Sequence, residues 1–260
     1  MNYDTDLKHA IELADAADII TKRYFRSADM HVKTKPDNTP VTQGDLEVEH
    51  KLSSIVSEKF HESYIGEEGT SSTSGKRTWV VDPIDGTKNF VRGMPVWATL
   101  IGLVEDGVTV AAVVSAPALG RRWWAAKGLG AWTKDTDGTE RSIAVSGIQK
   151  LEDAFILTGS IKEWEKPDGF DDLLKLIKSA YRHRAVGDFF NYMLVAEGAA
   201  DASTEAKPKY WDIAAPELII TEAGGSLWTD ANKDTTPGSP RIVVASNGLI
   251  EEEVRTALKL

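Results

Sequence analysis

The segment at residues 79–90, WVVDPIDGTKNF, places two carboxylates where an apolar run ends. Residues 79–81 predict a buried strand, which would deliver Asp82 and Asp85 to its end. Two carboxylates in a partly buried site repel each other unless a cation lies between them, and oxygen ligands without Cys or His favour Mg²⁺ or Mn²⁺ over zinc. The residues leave a second interpretation open, a polar turn after a core strand, because Asp, Pro and Gly are ordinary turn residues.

Gly86 and Thr87 follow directly after the second of these carboxylates. Their backbone N–H groups and the Thr87 hydroxyl could hold an anion that also contacts the cation. The segment therefore predicts a site for a divalent cation and an anionic group together.

The composition is typical of a soluble globular protein, and the length of 260 residues allows one large domain or two small ones. A formal net charge of −10 argues against nucleic acid or an anionic membrane surface as a partner. The absence of cysteine excludes disulfides, thiolate metal sites and cysteine catalysis. The N-terminal segment carries acids throughout and has no long apolar core, so we expect no signal peptide or membrane span and a cytoplasmic protein.

The chain before this segment predicts two helices joined by a loop. Helical spacing of apolar residues predicts a helix over residues 5–25 and another over residues 44–60, and the two prolines of residues 32–42 predict a loop between them. Thr42 followed by Asp45 resembles a capping box, which is one interpretation of this acid. The residues predicted to form much of the buried side of the second helix are Leu46, Leu52, Ile55, Val56 and Phe60.

Two further acids have both a chemical and an ordinary interpretation. Glu67 and Glu68 follow Gly66, and paired glutamates are common on solvated surfaces. Asp212 begins a helical stretch, where an acid commonly caps the helix. Residues 69–76, rich in Ser, Thr and Gly, predict a surface loop near the site.

The remaining pattern is β-rich at first and then alternates between strand and helix. Residues 97–104 and 108–115 predict a hairpin, and residues 121–126 a strand with Trp in the core and Arg at the surface. This order predicts a layered α/β sandwich with two closely packed halves. Later strands are predicted at 154–158, 201–205 and 242–245, and later helices at 170–180, 189–197, 210–223 and 247–260.

Four separate signals occur in order along the chain: Asp45, Gly66-Glu67-Glu68, DPIDGTKNF and WDIAAPELIITEAGG. Together they resemble the motifs of the inositol monophosphatase family over nearly the whole chain. The resemblance implies an α/β fold, a layered α-β-α-β-α sandwich, as a single domain over residues 1–260 with packed halves at about 1–145 and 146–260. It also implies a homodimeric, often lithium-sensitive phosphomonoesterase that uses two or three Mg²⁺ ions, with Mn²⁺ or another divalent ion as a substitute.

The resemblance also implies which residues bind the cations. Glu67, Asp82 and the Ile84 carbonyl would hold the first ion. Asp82, Asp85 and Asp212 would hold the second, so that Asp82 bridges the two. The cations would neutralise charge on the transferring phosphoryl group.

The catalytic roles follow from the same resemblance. Asp45 and Thr87 would form a hydroxyl-carboxylate pair that orients the attacking water, with Glu67 contributing beside them. The Gly86 and Thr87 amides would hold the phosphate. In this light the interpretations of Asp45 as only a helix cap and of Glu67 as only a surface acid are disfavoured.

The leaving alcohol is the part of the substrate that differs among relatives. The resemblance places Asp188 and Glu205 where the family contacts the alcohol, with Arg184 close by in sequence. Together with Asp45 and Asp212 they would form an acidic pocket around the alcohol, and Asp85 would also contact the substrate. An acid at Asp188, where the family usually has a small residue for inositol phosphate, suits a cationic group such as an ammonium or imidazolium.

The segments VRGMPVWATL and APALGRRWWAAKGLGA resemble the actinobacterial histidinol-phosphate phosphatase branch of the family. That branch implies hydrolysis of L-histidinol phosphate, a small phosphate monoester, in histidine biosynthesis. The alternative within the family is an inositol-1-monophosphatase. Branches that act on fructose 1,6-bisphosphate or 3′-phosphoadenosine 5′-phosphate are disfavoured by the acidic alcohol pocket. A metal-dependent binding protein without activity is disfavoured because every implied ligand is present.

Overall fold

The computed structural model describes residues 3–36, 38–72, 76–165, 169–230 and 242–260. Its helices are α1 (Asp4–Tyr24), α2 (Gln43–Ile55), α3 (Thr87–Val91), α4 (Phe170–Ser179), α5 (Asp188–Ala196), α6 (Tyr210–Glu222) and α7 (Glu251–Ala257). Its strands are β1 (Lys33–Thr34), β2 (Pro40–Val41), β3 (Ser63–Gly66), β4 (Ser71–Ser72), β5 (Arg77–Asp85), β6 (Ala98–Glu105), β7 (Val108–Ala116), β8 (Arg121–Ala126), β9 (Ala131–Lys134), β10 (Glu140–Ile143), β11 (Phe155–Thr158), β12 (Arg182–Ala185), β13 (Ala202–Ala206), β14 (Ser226–Thr229) and β15 (Ile242–Ser246).

The helices and sheets alternate in five layers. An eight-stranded sheet has the order β10-β9-β8-β7-β6-β5-β3-β4, and a five-stranded sheet has the order β12-β11-β13-β15-β14. Helices α1 and α2 cover one face of the larger sheet, α5 and α6 lie between the sheets, and α4 and α7 cover the outer face of the smaller sheet. This arrangement confirms the predicted α-β-α-β-α sandwich.

Apolar side chains on both faces of the larger sheet hold these layers together. On the central strands β6 and β7, Leu100 and Val114 join the cluster with α5 and α6, whereas Ile101 and Val113 join the cluster with α1 and α2. Because successive side chains of a strand point to opposite faces, a continuous apolar run is what a sheet covered on both sides requires. The predicted hairpin of β6 and β7 is confirmed as an antiparallel pair.

The boundary predicted near residue 145 falls between the two sheets. The larger sheet ends with β10 at Ile143 and the smaller begins with β11 at Phe155. The assignment of residues 1–260 to a single domain stays a prediction. Within the described ranges, no helix combines the length and the apolar character needed to cross a membrane.

Four predicted segments differ in detail. Residues 32–42 contain the short antiparallel pair β1–β2. The helix predicted over residues 44–60 ends as α2 at Ile55 and continues as one π-helical turn, Val56–Phe60. The last helix begins only at Glu251, because the Asn247 side chain accepts the N–H groups of Leu249 and Ile250 and forms a turn ahead of it. Residues 73–75 of the predicted 69–76 loop lie outside the described residues, and Ser71–Ser72 forms β4.

The prediction that Leu46 is buried is wrong, since 37% of this residue is exposed. The buried residues of α2 include two acids, Asp45 and Glu49, beside Val48 and Leu52. A hydrophobic pattern cannot identify a helix face of this kind, because part of the buried face is charged.

The arginines of β8 also differ from the prediction that they lie at the surface, whereas Trp123 is buried as predicted. The side chains of Arg121 and Arg122 are only 15% and 18% exposed, because each is paired with two acids. The partners are Asp135 and Glu197 for Arg121, and Asp15 and Asp18 for Arg122.

Two residues of α1 test the packing between this helix and the larger sheet. Leu13 is fully buried, whereas Ile19 is 71% exposed on the same helix. Leu13→Ala should lower the free energy of unfolding by about 2–5 kcal/mol, because it leaves a cavity in the core. Ile19→Ala should change it by less than about 0.5 kcal/mol. Urea unfolding of both variants measures the difference, and equal losses would contradict the described packing.

Candidate active site

The central strand β5 carries the acidic motif and continues through it to Asp85, rather than ending at Asp82 as predicted. Val81 packs toward α1 and α2, whereas Val80 packs on the opposite face against Ala214 of α6. Because side chains alternate along a strand, Asp82 lies on the α6 side of the sheet.

An irregularity in the pairing of β5 brings the second acid to the same side. Asp82 pairs with Leu100 of β6 and Asp85 with Ala98, so three steps along β5 correspond to two along β6. In a regular strand, residues three apart point to opposite faces. The extra residue of this β-bulge restores Asp85 to the side of Asp82.

Asp212, in the first turn of α6, completes a cluster of three acids. One carboxylate oxygen from each of Asp82, Asp85 and Asp212 lies within 4.8 Å of the others. Asp212 accepts the N–H of Lys209 at 2.6 Å, which confirms its place at the helix N-terminus, and Asp85 accepts the N–H of Phe189 at 2.7 Å.

The charge of this cluster fits a divalent cation. Removal from water, followed by repulsion from neighbouring acids, raises the pKa of Asp82 and Asp85 well above the ordinary range. The same removal from water raises the pKa of Asp212 to about 7. The buried Oδ1 of Asp82 has no hydrogen-bond partner among the described residues. A set of oxygen ligands with one oxygen unpartnered is suited to a hard cation such as Mg²⁺.

The other two predicted ligands lie around the same cavity. The Glu67 carboxylate contacts the Lys35 ammonium at 2.8 Å, and the same ammonium contacts Glu68 at 2.6 Å. The Ile84 carbonyl accepts the Thr87 hydroxyl at 2.9 Å, which leaves its second lone pair available.

Asp45 is both a helix cap and a buried acid. Its Oδ2 accepts the N–H and hydroxyl of Thr42, and the Thr42 hydroxyl in turn accepts the N–H of Asp45, which confirms the predicted capping box. Its Oδ1 is buried without a partner among the described residues. Burial raises the pKa of Asp45 to about 6 despite the Thr42 hydrogen bonds. The predicted pairing of Asp45 with Thr87 stays a prediction, because the Thr87 hydroxyl donates to Ile84.

The turn after β5 requires glycine at position 86. Gly86 has φ of +80°, and a Cβ there would lie 2.9 Å from the Val96 carbonyl oxygen and 3.3 Å from Asp188 Oδ2. A side chain would therefore strain the backbone and collide with its neighbours. This turn brings the start of α3, with Thr87, into the wall of the cavity.

The cavity has a volume of about 600 Å³ and joins the acid cluster to a second acidic region. Among the residues that line it are Glu67, Asp82, Ile84, Asp85, Gly86, Thr87, Asp188, Glu205 and Asp212. The structure therefore places these predicted residues around one cavity, whereas Asp45 is fully buried and does not line it. Arg184 does not line this cavity: it is exposed on the edge strand β12 and donates to the His183 carbonyl.

Asp188 and Glu205 form the second acidic region. Asn89 donates to Asp188 at 2.7 Å, and the Tyr192 hydroxyl donates to Glu205 at 2.7 Å. Removal from water is the main cause that raises the pKa of Asp188, and it raises the pKa of Glu205 to about 8. Asp188 begins α5 at φ of +53°, an uncommon conformation for a residue with a side chain.

Other lining residues were missed by the sequence reasoning, including Lys35, Glu163, Tyr192 and Lys209. Tyr192 lies four residues after Asp188 on a helix, so this spacing was an available signal. Glu163 stands on the short 3₁₀ helix Ile161–Glu165, and nothing local indicates that it reaches the cavity. Lys35 lies in a polar loop that resembles many surface loops.

Comparisons with known proteins agree with this geometry. A family model described as the inositol monophosphatase family matches residues 2–259. Histidinol-phosphatases from Mycobacterium tuberculosis and Streptomyces coelicolor are each 44% identical to this chain; the first covers 99% of both chains, the second 97% of this chain and 96% of its own. An inositol monophosphatase structure from Zymomonas mobilis has a TM-score of 0.85 at 30% identity over 100% of both chains. The Thermotoga maritima IMPase has a TM-score of 0.84 at 29% identity over 98% of this chain and 97% of its own.

The pH dependence of stability tests the environment of Glu205. Its pKa is about 8 in the folded protein against an ordinary value of 4.5, so between these values the folded protein keeps a proton that the unfolded chain releases. We therefore expect the free energy of unfolding of the wild-type protein, measured with a chelator present, to fall relative to that of Glu205→Gln as the pH rises through this window. Urea unfolding of both proteins at about pH 5 and about pH 8 measures this, and a difference that does not change with pH would contradict the assignment.

Proposed function

Since this chain belongs to the inositol monophosphatase family and is a phosphoric monoester hydrolase, we propose that its substrate is L-histidinol phosphate. The products are L-histidinol and inorganic phosphate, as a step of histidine biosynthesis. The observation that carries the proposal is the second acidic region, formed by Asp188 and Glu205 in the cavity that holds the acid cluster.

The residues present fit Mg²⁺ as the cation, with Mn²⁺ or another divalent ion as a substitute. Asp82, Asp85 and Asp212 would hold one ion, and Glu67, Asp82 and the Ile84 carbonyl another; a third ion is compatible with the proposal. When bound, the cations would stabilise negative charge on the phosphoryl oxygens. The unpartnered Oδ1 of Asp82 and the mutual repulsion of the cluster support this assignment.

The chain's own groups have separate roles in the proposed reaction. Asp45, whose pKa burial raises to about 6 and whose Oδ1 has no described partner, would orient the attacking water and accept its proton. The Thr87 hydroxyl would orient that water. The amides of Gly86 and Thr87, at the start of α3, would hold the phosphate.

The leaving alcohol would lie against the second acidic region. L-histidinol carries an amine and an imidazole, whereas inositol carries no charged group. Asp188 and the nearby Glu163 would favour a cationic alcohol through charge-assisted hydrogen bonds. A cation bound beside Glu205 would lower the pKa of that carboxyl from about 8 and favour its charged form. The same charges would repel a second phosphate, which disfavours bisphosphate substrates.

Arg184 was predicted to contact the substrate because it is close to Asp188 in sequence. It lies outside the cavity, so it has no role in the proposed reaction. Two further expectations are a homodimer, which the family resemblance implies, and a cytoplasmic location, which follows from the composition of the N-terminal segment. Both stay predictions.

Phosphate release from two substrates tests the proposed function directly. With Mg²⁺ present, kcat/KM for L-histidinol phosphate should exceed that for inositol 1-phosphate by at least about tenfold, because one hydrogen bond to a charged group contributes roughly 1.5–3 kcal/mol. A chelator should abolish both activities. A preference for inositol 1-phosphate would overturn the assigned substrate while leaving the phosphatase chemistry in place.

Asp188→Asn tests which residue recognises the cationic alcohol. The variant keeps the size of the side chain and an oxygen that can accept from Asn89, but it removes the charge. We expect KM for L-histidinol phosphate to rise about tenfold and KM for inositol 1-phosphate to change less than about threefold.

Asp153→Asn is the matched control, because Asp153 is exposed and does not line the cavity. It changes the net charge equally and should leave both Michaelis constants unchanged. Equal increases for the two substrates in Asp188→Asn would reject the role of Asp188 in recognising charge.

A further inference from the structure

Helix α2 carries a second buried acid one turn after Asp45. Glu49 is only 2% exposed, and its carboxylate lies on the same side of the helix as Asp45 because the two are four residues apart. Burying a carboxylate costs free energy unless hydrogen bonds replace those to water. An apolar side chain would fill this space at lower cost, so the carboxylate of Glu49 is expected to have a role besides packing.

Backbone amides of the turn after β3 supply those hydrogen bonds. One oxygen of Glu49 accepts the N–H of Glu68 at 2.8 Å, and the other accepts the N–H of Thr70 at 2.7 Å. The turn is closed by its own hydrogen bond from the Gly66 N–H to the Thr70 carbonyl at 3.0 Å. The carboxylate of Glu49 therefore holds both ends of the segment that follows Glu67.

The start of the turn is equally close to Glu49. A Cβ at Gly66 would lie 2.2 Å from a carboxylate oxygen of Glu49 and 2.9 Å from Cε1 of Tyr64. Only the absence of a side chain at Gly66 lets the carboxylate fit beneath the turn. Glu67 thus stands between two residues, Gly66 and Glu68, that are both fixed against Glu49.

We propose that Glu49 is a positioning residue that holds the turn at residues 66–70, so that the Glu67 carboxylate faces Asp82 in the cation site. The inference rests on the proposed function in taking Glu67 as a cation ligand. Glu49 itself does not line the cavity and acts through backbone amides. The Lys35 ammonium contacts Glu67 and Glu68 from the cavity side, but it contacts their side-chain carboxylates rather than the backbone.

Glu49→Gln tests this role with almost no change in size. One of its two terminal atoms becomes a donor, so either the Glu68 or the Thr70 amide loses its acceptor. With a chelator present, hydrogen exchange at these two amides should be at least about tenfold faster in the variant than in the wild type. Mn²⁺ binding measured by calorimetry should weaken about tenfold or more, as for other residues that orient metal ligands, while kcat at saturating Mg²⁺ stays within about threefold.

Two further variants complete the experiment. Glu58→Gln, at an exposed position beyond the end of α2, is the matched control and should change neither exchange nor Mn²⁺ affinity. Gly66→Ala disturbs the same contact from the other side and should weaken Mn²⁺ binding as Glu49→Gln does. It provides the decisive comparison if Glu49→Gln does not fold.

The outcomes separate this inference from the proposed function. Unchanged amide exchange in Glu49→Gln, or faster exchange with unchanged Mn²⁺ affinity, would overturn the positioning role. A wild-type protein that binds Mn²⁺ but releases no phosphate from either substrate would overturn the proposed function, while the exchange and Mn²⁺ measurements would still decide the role of Glu49.

Discussion

Repulsion among buried carboxylates is the constraint on which the rest of the structure depends. Oxygens of Asp82, Asp85 and Asp212 lie within 4.8 Å of one another. Two like charges at about 4 Å repel by roughly 4 kcal/mol at the effective dielectric constant of a protein, so such a cluster opposes folding unless it is compensated. Backbone amides compensate part of it, from Lys209 to Asp212 and from Phe189 to Asp85. Asp82 keeps a buried oxygen without a described partner, which is where a cation gives the largest gain.

The layered architecture explains how these acids meet. Strand β5 supplies two acids from the larger sheet, and α6 supplies one from the central helical layer. From the outer helical layer, α2 buries Asp45 behind the cavity wall, where the charges of Glu67 and Lys35 act on it. Backbone amides hold three of the acids: Asp85 at the start of α5, Asp212 at the start of α6, and Glu49 at the turn that carries Glu67. The acids therefore fix the positions of the layers relative to one another, as well as gathering at the cavity.

Local patterns identified most helices and strands, because apolar spacing reports which faces are buried. They failed where burial is polar. Leu46 matched the helical pattern but is exposed, while Glu49, a charged residue on that helix, is buried. The convergence of Asp82 and Asp85 could not be predicted from their spacing either, since residues three apart in a regular strand point to opposite faces. It depends on the bulge opposite β6, and therefore on the pairing of two strands.

The acid cluster and the second acidic region are joined at one peptide. Asp188 faces the region assigned to the alcohol, and the next residue, Phe189, donates its N–H to Asp85 of the acid cluster. The uncommon φ of Asp188 and its contact with Asn89 fix that peptide, and the absence of a side chain at Gly86 leaves room for its carboxylate. Replacing the side chain at position 188 therefore changes the charge of the second acidic region, but moving the backbone there would also withdraw a hydrogen bond from Asp85. The charge at this position can therefore be changed separately from the backbone, whereas the conformation of the peptide is tied to the hydrogen bond that Asp85 accepts.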